Sequence, residues 1–359
     1  MADTALRIRD LHKRFDETRA LDGVSLELER GSLTGLVGSD GAGKTTLIRI
    51  VAGLLAPDSG NVEMPAAGAL HGAGSREPVG AAPRRAGSPG PWHRAARRRA
   101  GRALYPGAAE SPRSEAPAVG YLSQGFSLYS DLSIDENMRF FASLYGLKSY
   151  RDRAKKLLTL VGLEPFRSRR AGKLSGGMKK KLALACALIH EPELLLLDEP
   201  TTGVDPVSRR EFWSILSRLQ HEGISVLLAT PYFDEAERCD HVVLMHAGRA
   251  VDSGPPEHVA ASTPGSILEV VCSPVRKAQQ ALAGDPRVAE VQLYGDRIHV
   301  RTEDSAEDSS ATSDKALRSM LKSLLESKGV SVTSVREIRA GLETAFIARM
   351  TAHTEKEAS

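Results

Sequence analysis

Apolar and polar residues alternate through Leu6, Ile8 and Leu11, and again through Val24, Leu26 and Leu28. A period of two predicts two strands with one face buried. Leu33 to Val37 is an apolar run that reads as a third strand. Leu47, Ile48, Ile50, Val51 and Leu54 then recur at helical spacing. A turn at Ala56-Pro57-Asp58-Ser59-Gly60 leads to a strand over 61–64, and residues 119–124 form a short strand ending in Gln124. From 134 to 188 the period is helical, interrupted at Lys173-Leu174-Ser175-Gly176-Gly177-Met178. There Ser175 suits a helix N-cap, and the glycines permit close backbone approach. Leu194-Leu195-Leu196-Leu197 is unbroken, as in a strand of a parallel sheet buried on both faces. Strands over 224–229 and 242–245 follow, separated by a helix opening at Asp234-Glu235-Ala236.

From Ile267 the pattern changes. It predicts a strand (267–272), a helix (275–282) and two strands flanking the Tyr294-Gly295-Asp296 hairpin signal. An acidic, serine-rich loop spans 303–314. Leu317, Met320, Leu321, Leu324 and Leu325 then mark an amphipathic helix, before a strand over 330–335. The order β-α-β-β-α-β is that of the ferredoxin-like unit. A closing helix is predicted over 342–350. No catalytic cluster falls here, so a regulatory or dimerising role is expected.

The expected organisation is therefore an α/β domain over 1–255, with a helical part at 126–185. An α+β accessory domain covers 263–350, and 351–359 is a disordered tail. Composition adds one exception. Residues 65–118 hold 15 Ala, 9 Arg, 8 Gly and 8 Pro, and no Lys, Ile, Phe, Met, Asp or Thr. Nine arginines against three glutamates give this segment +6, leaving −3 for the rest of a chain whose net charge is +3. So little apolar surface does not offset the entropy of ordering, which predicts a disordered insert. A solvated insert is a simpler reading than arginines serving a nucleic acid or membrane surface. The use of Arg without Lys also fits a frame-shifted or GC-biased coding segment. No apolar run reaches ~18 residues, so no membrane span is expected. Met1-Ala2-Asp3-Thr4 lacks the charged and apolar regions of a secretory signal. Cys186, Cys239 and Cys272 are scattered in apolar or helical contexts, which suits buried thiols in a reducing compartment.

Chemistry concentrates at Gly38-Ser39-Asp40-Gly41-Ala42-Gly43-Lys44-Thr45. Strand, glycine-rich turn and helix are the context of a phosphate-binding loop. Its backbone N–H groups and the helix N-terminus favour anionic oxygens. Lys44 is placed to reach the β- and γ-phosphates, and Thr45 to bind Mg²⁺. Asp198 and Glu199 end the leucine strand, at the carboxyl end where α/β folds bind ligands. Asp198 suits Mg²⁺ held through water, and Glu199 suits polarising an attacking water. Phe15 reads either as a base-stacking ring or as a strand-end core aromatic.

Taken together, these motifs resemble the ATP-binding subunit of ABC transporters. The resemblance covers about 5–255 outside the insert. It rests on the phosphate loop, Gln124, Leu174-Ser175-Gly176-Gly177-Met178, the Asp198-Glu199 strand end and Gly203-Val204-Asp205. It implies ATP and Mg²⁺ as ligands, and ATPase activity served by Glu199, Lys44 and Gln124. Phe15 would stack on adenine, with the loop through Thr46 around the phosphates. Thr45, Gln124 and Asp198 would attend the metal. In the family the Leu174 to Met178 motif completes a site on a partner subunit, Asp205 couples the dimer, and Gln124 links Mg²⁺ to a membrane subunit. Two such subunits sandwich two ATP molecules and drive a transmembrane permease. The implied location is peripheral, on the cytoplasmic side of the cell's inner membrane, with no nucleic acid as partner.

Met178 in place of a commoner glutamine, Lys179-Lys180-Lys181 and the extension with Gly341-Leu342-Glu343 resemble the drug-exporter branch. Two departures stand out. Pro231 occupies the place of the histidine that contacts the γ-phosphate, and Asp40 that of a commoner asparagine. The pattern resembles the first ATPase half of tandem-ATPase exporters, and the expectation is that the chain's own site binds ATP but hydrolyses it poorly. The alternatives are a non-transport ABC ATPase acting on nucleic acid or the ribosome, and a binding-only regulatory subunit.

Overall fold

The computed structural model describes residues 3–65, 119–125, 127–263, 265–302 and 311–358; the insert assigned to 65–118 lies, beyond Pro65, outside them. The chain divides into two compact units, Met1–Ser253 and Gly254–Ser359.

In the first unit β1 (Thr4–Phe15), β2 (Thr18–Glu29) and β4 (Ser59–Glu63) form an antiparallel sheet ordered β2-β1-β4. The alternation read from the sequence is its cause. Leu6, Ile8, Leu11, Val24 and Leu28 are buried, and the polar neighbours face out. Between β2 and β4 run β3 (Leu33–Val37) and α1 (Lys44–Val51). Later come β5 (Val119–Leu122), α2 (Ile134–Leu144), α3 (Arg151–Leu160), α4 (Gly176–Ala187) and β6 (Leu194–Asp198). Then follow α5 (Pro206–His221), β7 (Ser225–Thr230), α6 (Phe233–Ala236), β8 (His241–His246) and β9 (Arg249–Gly254).

The second sheet has the order β5-β6-β7-β3-β8-β9. Pairing is parallel from β5 to β8, with Leu194 against Ser225 and Leu33 against Val226. Every residue of β3, β6 and β7 is buried, as expected of continuous apolar strands covered on both faces. Helix α1 packs over β6 and β7, and Leu47, Ile48 and Ile50 join Leu196 and Leu227 in one core. The carboxyl ends of β3, β6 and β7 thus lie side by side. They carry the phosphate loop, Asp198 and Pro231.

Helices α2, α3 and α4 make the helical part. Ser133 caps α2 reciprocally: its hydroxyl accepts the Glu136 N–H, and the Glu136 carboxylate accepts the Ser133 N–H.

The second unit contains α7 (Pro256–Ala261), β10 (Ile267–Ser273), α8 (Val275–Leu282), β11 (Val288–Tyr294) and β12 (Arg297–Thr302). It ends with α9 (Ala311–Ser327), β13 (Ser331–Ile338) and α10 (Leu342–Ala358). Its sheet is antiparallel in the order β11-β12-β10-β13, the ferredoxin-like arrangement. Leu268, Val270, Ile298 and Val300 bury one face with Ala278, Leu282 and Leu321. The three cysteines are buried and free.

Two expectations need correction. The tail assigned to 351–359 is helical through Ala358, because 351–358 contains Ala, Glu and Lys and neither Gly nor Pro. The first domain ends at Ser253, two residues before the expected boundary, and α7 belongs with the second unit. There Arg349 of α10 donates to the Val259 carbonyl and the Ser262 hydroxyl, at 3.1 and 2.7 Å.

Candidate active site

The loop between β3 and α1 demands glycine at two points. Gly43 has φ +100°, and a Cβ there would stand 2.4 Å from the Ala20 carbonyl oxygen. A Cβ on Gly38 would stand 2.0 Å from the Met245 carbonyl oxygen. Both contacts are with backbone, so neither yields by a rotamer change. Lys44 follows at the start of α1, 5% exposed, and donates to the Gly38 and Ser39 carbonyls at 2.8 and 2.9 Å. Burial lowers the pKa of its ammonium, against the attraction of Glu199, Asp40 and Asp198. Asp40 itself is exposed.

Thr45 Oγ1 donates to Asp198 Oδ1 at 2.8 Å. Asp198 is fully buried, and its Oδ2 has no hydrogen-bond partner. Burial raises this carboxyl above its ordinary value; Glu199 adds to the rise, and Thr45, Arg49 and Lys44 oppose it. A buried, unpaired carboxylate oxygen beside a threonine hydroxyl is a hard-oxygen donor set that fits Mg²⁺ held partly through water.

Glu199 has φ +48°, a left-handed conformation that costs a non-glycine residue about 1 kcal/mol. Its N–H bonds to the Ala229 carbonyl at 2.9 Å, which fixes the turn to β7. The carboxylate accepts Gln124 Nε2 at 2.9 Å and Thr202 Oγ1 at 3.2 Å, both on Oε2. Thus the structure brings Lys44, Thr45, Asp198, Glu199 and Gln124 together from three separate stretches of the chain.

Phe15 stands apart at the end of β1, 45% exposed, with the Lys13 ammonium 5.4 Å from its ring centre. Ser175 and Gly176 are exposed, while Leu174 and Gly177 are buried. The Ser175 hydroxyl accepts the Met178 N–H, capping α4. Gly177 packs on the first turn of α5, where a Cβ would lie 2.4 Å from Ser208 Oγ. Asp205 caps that helix through the Val207 and Ser208 N–H groups, at 3.1 and 2.9 Å. Among the described residues, the hydrogen bonds of Leu174 to Met178 do not reach the phosphate loop.

Two residues beside the site carry contacts that the motifs do not indicate. Lys180, 4% exposed, donates to the Gln124 carbonyl at 2.7 Å and ties α4 to the end of β5. Thr202 holds Glu199. The Lys180 signal is a lysine one turn into a capped helix, masked by charged neighbours on both sides.

This fold and site define a nucleotide-binding P-loop cassette. A profile of the family described as ABC transporter matches residues 21–202. The daunorubicin resistance ATP-binding protein DrrA3 of Streptomyces coeruleorubidus is 32% identical over 97% of this chain and 96% of its own length. The probable multidrug ABC transporter ATP-binding protein YbhF of Escherichia coli is 35% identical over 84% of this chain. The chain spans 46% of that relative's length. The solved structure of CbiO1 from Clostridium perfringens, part of an ABC transporter complex, is 26% identical with a TM-score of 0.55, covering 79% of this chain and 97% of that one. The chain belongs to the ABC transporter family as an ATP-binding cassette protein. Among the described residues no helix is long and apolar enough to cross a membrane.

Proposed function

We propose that this chain is the ATP-binding subunit of an exporter of small lipophilic compounds. In this reading it couples ATP binding and hydrolysis to a separate transmembrane permease at the cytoplasmic face of the membrane, and works as a dimer with a second cassette. The observation that supports it best is the joined set of Lys44, Thr45, Asp198, Glu199 and Gln124.

Each residue then has a role. The loop N–H groups and Lys44 hold the β- and γ-phosphates once the ammonium exchanges the Gly38 and Ser39 carbonyls for phosphate oxygens. Thr45 and Asp198 hold Mg²⁺, which when bound neutralises phosphate charge. Glu199 accepts the proton of the attacking water, and Gln124 orients that carboxylate. Phe15 supplies a face for adenine. Ser175 and Gly176, exposed at the start of α4, meet the γ-phosphate bound by the partner subunit.

Pro231 follows β7 at the place assigned to the γ-phosphate histidine. A proline ring neither donates to a phosphate oxygen nor carries a proton. This chain's own site therefore holds ATP as a clamp, while its Ser175 surface completes a faster site on the partner. The test is affinity purification of the full chain from solubilised membranes. Recovery of a polytopic membrane protein and a second cassette supports the reading; recovery of ribosomes or DNA overturns it.

A further inference from the structure

Glu235 of α6 is 1% exposed, and none of the chemistry above uses it. Its carboxylate is shared between two segments. Oε1 accepts Thr201 Oγ1 at 2.5 Å, and Oε2 accepts Thr230 Oγ1 at 2.8 Å. Arg209 Nε of α5 lies 3.5 Å from Oε1, and its guanidinium stacks 4.8 Å from the Tyr232 ring centre. The Thr230 hydroxyl also accepts the Tyr232 N–H at 3.1 Å, closing the turn around Pro231. Thr201 stands between Glu199 and Asp205. One buried carboxylate thus joins the turn that follows β7, the segment from Glu199 to Asp205, and the helix that Asp205 caps.

Burying a carboxylate is costly unless its oxygens are matched; here two hydroxyls donate to them, and Arg209, whose Nε makes no hydrogen bond, adds an ion pair at 3.5 Å. A non-directional apolar contact would fill the space without fixing the separation of Thr201 and Thr230. Two directional bonds in a low-dielectric interior give the turn after β7 and residues 199–205 one discrete arrangement, and the ion pair to Arg209 holds α5 beside them.

We propose that Glu235 is a positioning residue: it locks the Pro231 turn to residues 199–205, so that nucleotide bound at Lys44 governs where Asp205 stands. This rests on the site being an ATP site, and not on the identity of the permease or partner.

The test is hydrogen–deuterium exchange of the full chain with and without Mg·ATP. In the wild type, ATP protects both 38–46 and 199–209. Thr201→Val keeps ATP affinity within about twofold and keeps protection of 38–46, but loses at least about half of the protection at 199–209. Thr201→Ser, which retains the hydroxyl, behaves as the wild type. Glu235→Gln follows Thr201→Val, and the double variant loses no more than either single one. Full protection at 199–209 in Thr201→Val, additive losses in the double variant, or affinity falling in step with protection overturns the proposal. If Glu235→Gln does not fold, the valine and serine variants at 201 decide alone. Wild-type chain that binds ATP without protecting 199–209 overturns the coupling only; wild-type chain that shows no ATP protection at 38–46 overturns the site reading beneath it.

Discussion

Gln124 donates its side-chain amide to Glu199 Oε2 across 2.9 Å, on an oxygen that also accepts the Thr202 hydroxyl. The residue assigned to coupling and the residue assigned to water activation therefore share one bond. If this chain's own site is the slow one, removing that carboxylate has little effect on the complex. Glu199→Gln is expected to lower the ATPase rate of the partnered complex by less than about twofold, where loss of a working general base costs about 10² or more. Ser175→Ala, acting on the partner's site, is expected to lower it about tenfold. Steady-state phosphate release from the two complexes checks both. Ser175→Ala also removes the cap of α4, at about 1 kcal/mol of stability visible in a melting curve.

Pro231 lies in a turn whose hydrogen bonds come from Thr230 and Tyr232. A histidine there disturbs none of them. Pro231→His is expected to raise ATP turnover of the partnered complex by about tenfold or more. No change would remove the asymmetric-site reading.

Gly43→Ala combines φ +100° with a Cβ 2.4 Å from a backbone oxygen. It is expected to destabilise the chain by about 2 to 3 kcal/mol and to abolish binding of a fluorescent ATP analogue. Gly41 has φ +78°, and a Cβ added there would meet nothing within 4 Å. It is strained but not crowded, so Gly41→Ala is expected to cost about 1 kcal/mol. Denaturant melts of the two variants compare them directly.

The raised pKa of Asp198 has a sign that stability measurements detect. The folded chain holds this proton more tightly than the unfolded chain, whose value lies near 3.8. The contribution is favourable below the unfolded value and is lost as pH rises through the raised one. At neutral pH the ionised, buried carboxylate is a burden on the nucleotide-free chain. Asp198→Asn is expected to raise its melting temperature at about pH 7.5, and the gain to vanish towards about pH 4. With Mg·ATP the order reverses, since only the wild type gains from the metal.

In the second unit the shift is opposite. Arg336, then Arg297, holds the Glu269 carboxyl at about 2, against burial that pushes it up. Its contribution is present above the unfolded value of 4.5 and is lost as pH falls from there towards about 2. Glu269→Gln removes this pH-dependent part. Pepsin cleavage of the full chain near 267–302 is expected to rise steeply across that window in the wild type and with a shallower slope in the variant.

Local periodicity makes most elements legible. Leu6, Ile8 and Leu11 alternate because one face of β1 is buried, and Leu194 to Leu197 do not alternate because both faces of β6 are. The phosphate loop is readable because its glycines answer to backbone geometry within eight residues. Strand β9 is not: Asp252, Ser253 and Gly254 are weak strand formers, and pairing at the sheet edge forms it. The Ser133–Glu136 capping box is a local signal that the apolar pattern alone does not bring out. Lys180 on the Gln124 carbonyl and Glu235 between Thr201 and Thr230 lie beyond local patterns, since the order of strands in the sheet brings those segments together.

Cys186, Cys239 and Cys272 are buried, and burial raises all three thiol pKa values. The native chain is therefore poorly reactive toward maleimides. Val207, 68% exposed beside Asp205, is open to replacement by cysteine. A dye attached there would report approach of a second cassette by fluorescence, with little background from the native thiols.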